Sequence, residues 1–135
     1  MFKTAVMLCA ALLVASPIFS GSTEDTLDNC VEQCNACQAM CLACANECLN
    51  ELAEGKTDRK ACIKLCLDCA DICGACARIG ARSGPLEATI AAACAEACEQ
   101  CAAECAKHKD DKTCQACAKQ CLKCAAECRE MATKK

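Results

Sequence analysis

The run Cys30-Val31-Glu32-Gln33-Cys34-Asn35-Ala36-Cys37-Gln38-Ala39-Met40-Cys41-Leu42-Ala43-Cys44-Ala45-Asn46-Glu47-Cys48 spaces its six cysteines by four, three, four, three and four residues. That is the a/d rhythm of a heptad, with cysteine where leucine ordinarily sits. A strand needs a period of two, and Cys-x-Cys occurs nowhere in the chain. The stretch therefore predicts a helix with one face made of thiols.

Working outward, the same rhythm returns at Cys62, Cys66, Cys69, Cys73 and Cys76, at Cys94, Cys98, Cys101 and Cys105, and at Cys114, Cys117, Cys121, Cys124 and Cys128. The unit Cys-x3-Cys-x2-Cys-x3-Cys begins at Cys30, Cys62, Cys94 and Cys117. Four helices follow, over residues 24–54, 59–79, 85–107 and 112–132. Gly55 stops the first, Gly80 and Ser83-Gly84 break the chain, Pro85 opens the third, and Asp110-Asp111 caps the fourth. Short connections make neighbours antiparallel. The expected fold is all-α: an antiparallel up-down four-helix bundle with a cysteine-lined core.

Composition supports a core of sulfur. The chain has 135 residues and 21 cysteines, with no Trp or Tyr. Beyond residue 22 the large apolar residues are eight Leu, four Ile, two Met and one Val, thin filling for a domain of this size. Alanines that flank the seams, Ala43, Ala45, Ala70, Ala77, Ala95, Ala102, Ala118 and Ala125, let helices approach closely and favour helix.

The N-terminus reads differently. Lys3 precedes the apolar run 5–15, and Ser20-Gly21-Ser22 offers small residues for cleavage. Residues 1–22 are expected to be a Sec-type signal peptide, which makes 23–135 the functional domain and the protein exported, in the periplasm. Cys9 would leave with the leader, and twenty cysteines would remain. After cleavage no membrane segment is expected. A net charge of −3 without a basic patch or stacking aromatics argues against nucleic acid. One histidine and no nucleophile–base arrangement leave little for an enzyme.

Thiols at i, i+3 and i+4 share a helix face, about 5–6 Å apart at their Cβ atoms. Soft thiolates select soft ions, and Cu(I) is the chief biological candidate. All twenty seam cysteines are therefore candidate Cu(I) ligands. With two sulfurs per ion and none shared they hold about ten ions, and with every sulfur bridging the number approaches about twenty. Zinc wants four ligands and would make at most about five sites. A disulfide-stapled bundle and a copper chaperone or detoxification protein are the rival readings; free-thiol counts and copper stoichiometry discriminate them.

Taken together, the repeated Cys-x3-Cys-x2-Cys-x3-Cys runs from Cys30 to Cys128 resemble those of the bacterial copper storage proteins. The resemblance implies storage or sequestration of many Cu(I) ions, a homo-oligomer, copper donor or acceptor proteins as partners, and an ion entrance at one end of the bundle. Exported members of that family are associated with twin-arginine export, and no Arg-Arg pair precedes the apolar run here.

Extending the seams separates the two ends. Glu51, Arg59, His108 and Asp110 fall at one end, which is polar and expected to be open. Leu27 and Met131 fall at the other, with Ile79 and Ile90 beside the seam, as an apolar plug. Copper is expected to enter at the polar end, where His108 is a further candidate metal ligand.

Overall fold

Each helix is built on its cysteine face, and the first two end where the backbone turns left-handed. The computed structural model describes residues 23–134: α1 is Thr23–Ala53, α2 is Lys60–Gly80, α3 is Glu87–Cys105 and α4 is Lys112–Thr133, with one 3-10 turn at Thr57–Arg59 before α2. The helix pairs in contact are α1 with α2, α2 with α3, α3 with α4 and α4 with α1. The four close into a square whose diagonal helices meet across the axis through cysteine sulfurs, as Cys37 with Cys98 at 3.8 Å and Cys62 with Cys114 at 3.9 Å, the up-down bundle expected from the spacing.

α1 ends in a Schellman motif. Gly55 takes φ +98°, the Gly55 amide donates to the Leu52 carbonyl and the Lys56 amide to Glu51. Glycine fits this left-handed position without the Cβ penalty. α2 repeats the motif with a less suited residue. Ser83 adopts φ +48°, the Ser83 amide bonds to Gly80 and the Gly84 amide to Ile79. The break expected at Gly80 therefore falls later. Gly80 is helical and buried, because α1 presses on it: a Cβ there would lie 2.8 Å from Val31 Cγ2 and 3.3 Å from Leu27 Cδ1. Pro85 also stands outside its helix, in the turn before α3. At α4, Asp111 rather than Asp110 is the cap, accepting from the Thr113 amide at 2.8 Å and the Cys114 amide at 2.9 Å.

The core is sulfur and methyl. All twenty cysteines from Cys30 to Cys128 are buried, none more than 3% exposed. Ala45, Ala70, Ala77, Ala91, Ala95, Ala102, Ala118 and Ala125 are buried with them, and the only large aliphatic side chains in that core are Ile63 and Met131. Ala43, expected to flank the seam, is exposed instead, while Ala91 is buried. Polar ties bind the outside: Arg129 to Glu99 between α3 and α4 at 2.6–2.7 Å, Gln120 to Gln33 between α4 and α1 at 3.0 Å, and Lys134 to Thr26.

Candidate metal centre

Four converging cysteine faces leave a continuous column of sulfur along the bundle axis. Near Leu27 and Met131, Cys128 Sγ lies 3.6 Å from Cys30 and 3.5 Å from Cys34, and Cys94 lies 3.5 Å from Cys73. In the middle, Cys37 and Cys41 meet Cys121 at 3.7 and 3.6 Å, and Cys98 meets Cys69 and Cys73 at 3.6 Å. Towards the polar end, Cys66 lies 3.6 Å from Cys101 and 3.7 Å from Cys105. Cys114 lies 3.7 Å from both Cys44 and Cys48, and Cys48 lies 3.6 Å from Cys62. Within a helix, i,i+4 pairs such as Cys62 and Cys66 stand 4.0 Å apart.

These distances decide what the column can do. A disulfide requires sulfurs about 2.05 Å apart, and all twenty described cysteines are free thiols. Three sulfurs about 2.3 Å from a shared ion stand about 4 Å from one another, the separation found here. The sulfurs gather in quartets whose members all lie within 4.8 Å of each other, among them Cys30-Cys34-Cys76-Cys128, Cys37-Cys73-Cys98-Cys124 and Cys41-Cys101-Cys117-Cys121. Successive quartets share members: Cys41 and Cys121 belong to the last of these and also to Cys37-Cys41-Cys69-Cys121. Shared members are what bridging thiolates need, whereas separate tetrahedral zinc sites need none.

The thiols titrate as a network, because each is both donor and acceptor to its neighbours. Hydrogen bonding chiefly from Cys121 holds Cys37 down at about 7, and Cys105 does the same for Cys101, at about 6. At the polar end, burial pushes Cys48 up to about 11. A thiolate thus forms most readily where neighbouring S–H groups point at it.

The polar end is charged as expected but it is not open. Arg59 is 7% exposed. Its Nε stands 2.6 Å from Glu51 Oε2 and its Nη2 3.5 Å from Asp111 Oδ2, while Nη1 donates to Cys114 Sγ at 3.9 Å. The Glu51 contact lies off the hydrogen-bonding direction, so it is ionic, and Arg59 Nε, Glu51 Oε2 and Asp111 Oδ2 are buried without a hydrogen bond. Asp110, placed at this end from the spacing, is exposed, and Asp111 takes its position. His108 is buried at the side chain, 8% exposed, with Nδ1 3.7 Å from Asp58 and Nε2 3.9 Å from Glu104. Nε2 has no hydrogen-bond partner. The spacing put Arg59 on the seam; it gave no sign that the side chain would fold over Cys114. At the other end Met131 is buried, with Leu27 and Ile90 packed against the core, as expected. Met40, midway along α1, also packs against the core.

The copper storage protein family profile matches residues 23–133. Among solved structures, the Cu(I)-bound copper storage protein BsCsp3 is 40% identical, with 80% of this chain and 99% of that one covered and a TM-score of 0.74. A cytosolic copper storage protein from Streptomyces lividans, loaded with five coppers, is 32% identical over 86% and 99%, at 0.78. The Streptomyces lividans Ccsp loaded with 10 copper equivalents is 33% identical over 84% and 88%, at 0.76. No curated protein matches. The chain belongs to the copper storage protein family, and its buried cysteine core is the Cu(I)-binding store that the family is named for.

One expectation is overturned. The chain was expected to be exported to the periplasm, yet the Streptomyces lividans relative is cytosolic. The expectation rested on residues 1–22, which lie outside the described residues. Its support was Lys3, the apolar run 5–15 and the small residues Ser20-Gly21-Ser22.

Proposed function

We propose that all twenty seam cysteines, Cys30 to Cys128, are Cu(I) ligands, and that a full chain holds between about ten and about twenty ions. The observation that carries this reading is the recurrence of sulfur quartets with shared members along the column. Copper enters at the polar end, and His108, buried there with a bare Nε2, passes ions to the thiols. The column serves storage or sequestration rather than delivery, since a chaperone works with one or two exposed sites. Copper donor or acceptor proteins exchange ions at the same end. Copies of the chain associate, and the exposed Leu42 and Leu49 on α1 support such a face.

Anaerobic titration with Cu(I) against a competing chromophoric chelator tests the capacity. Saturation between ten and twenty ions per chain is expected. Saturation at five or fewer refutes the reading, because separate four-sulfur sites would then account for everything bound.

A further inference from the structure

The side chain that closes the polar end is a cation, and the cargo is also a cation. Arg59 lies in the 3-10 turn between α1 and α2. Its guanidinium reaches across to Glu51 at the end of α1 and to Asp111 at the start of α4. In doing so it covers Cys114, whose sulfur is within 3.9 Å of those of Cys44, Cys48 and Cys62. A fixed positive charge therefore stands between solvent and the outermost sulfurs. An ion pair of this kind would normally be saturated with hydrogen bonds when buried. This one is not: Arg59 Nε, Glu51 Oε2 and Asp111 Oδ2 lack them. The strap holds by charge, with few directed bonds to break.

We propose that Arg59 is the gate of the store: its guanidinium repels incoming Cu(I) and must swing away from Cys114 before an ion reaches the column. The gate rests on the reading that copper enters at the polar end. Arg59 is a positioning residue and not a ligand, since a guanidinium offers no acceptor. Its neighbours complete the device. Glu51 and Asp111 hold it shut, while Asp58 is exposed outside the strap. Asp58 already stands 4.0 Å from Arg59 Nε in the closed position, on the side to which the guanidinium would move outward.

The test is the rate of anaerobic loading from Cu(I)–acetonitrile, a cationic complex, followed by stopped-flow absorbance of the thiolate–copper bands. Arg59→Met should load at least about fivefold faster, the change that one unit charge at about 4 Å makes even at the dielectric constant of water. Arg59→Lys keeps the charge and should stay within about twofold of the parent. Raising salt should accelerate the parent chain and slow Arg59→Met, because losing the guanidinium replaces a repulsion by the unpaired attraction of Glu51 and Asp111. A merely structural arginine would not produce that difference, and the salt dependence of the parent stands alone if Arg59→Met fails to fold. A parent rate insensitive to salt, or an Arg59→Met rate no faster than the parent, overturns the gate. His108→Ala separates the two readings. If it slows loading while Arg59→Met changes nothing, the gate fails and the entrance survives. If neither variant changes the rate and Leu27→Ala raises it, the entrance is at the apolar end and both readings fail.

Discussion

Replacing Cys41 by alanine asks whether a seam cysteine binds or merely packs. Cys41 is fully buried, and its sulfur lies 3.6 Å from Cys121, 3.8 Å from Cys117, 3.9 Å from Cys37 and 4.0 Å from Cys101. As a packing group the thiol is worth about what one methylene is worth, plus a small cavity, so the copper-free Cys41→Ala chain should lose about 1 kcal/mol. For a domain of this length that lowers the melting temperature by about 4 °C. As a ligand Cys41 matters more, because it belongs to at least two sulfur quartets. Capacity should fall by one to two ions. Native mass spectrometry of the saturated variant reads capacity, and thermal circular dichroism of the copper-free form reads packing. Cys41→Ser keeps the volume, removes the soft donor and should lose the same number of ions. If the melting point falls as calculated but capacity equals that of the parent, Cys41 is filler and the quartets are not the binding units.

Three further outcomes follow from the backbone and the cap. Ser83→Gly should raise the melting temperature by about 4 °C, since it relieves roughly 1 kcal/mol at a left-handed position; an unchanged value refutes the strain. Gly80→Ala should be destabilising because Val31 must move, whereas Gly74→Ala meets only the flexible ends of Gln38 and Arg78 and should gain up to about 1 kcal/mol of helix propensity. Chemical denaturation of the pair compares them, and equal effects refute the assignment. Burial works against ionised Asp111, yet hydrogen bonds from Cys114 and Thr113 and the charge of Arg59 hold its carboxyl below the ordinary range. Its cap therefore stabilises fully above the unfolded value of about 3.9 and is lost as pH falls through the lower folded value. The copper-free parent should lose stability below about pH 4 more steeply than Asp111→Asn, measured by melting at a series of pH values.

Much of this molecule is legible in its cysteine spacing, for a physical reason. A heptad of thiols has one inward face per helix, so the seams fix the helices, their antiparallel packing and which sulfurs meet. Gly55 was equally legible, since a left-handed turn after α1 has one natural residue. Gly80 misled because glycine serves two ends: it breaks helices, and it also lets Val31 approach α2 closely. Only the partner helix tells which. The stop fell to Ser83, a residue without a strong left-handed preference. The polar end was legible in its charges but not in its closure. Whether Arg59 reaches solvent or folds over Cys114 depends on Glu51 and Asp111, which are eight residues behind and fifty-two ahead in sequence. Asp110 and Asp111 are chemically alike, and which one caps α4 is decided by the loop between α3 and α4.

Charge conservation limits how such a store can fill. Twenty thiols buried in one bundle cannot all ionise unless an equal number of cations replaces the protons, because each uncompensated buried charge costs several kcal/mol. Each Cu(I) brings one charge, so neutral filling releases about one proton per ion. At half load, with one ion per two cysteines, about half of the sulfurs should then remain as S–H, hydrogen-bonded to the thiolates beside them. Linear two-thiolate sites would differ, releasing about two protons per ion and leaving a buried anion each time. Proton release can be counted by anaerobic titration in weakly buffered solution with a pH indicator. A slope near one from the first ion to saturation fits bridging clusters in a neutral column. A slope near two over the first ten ions refutes it, and would require the bundle to hold about ten buried negative charges.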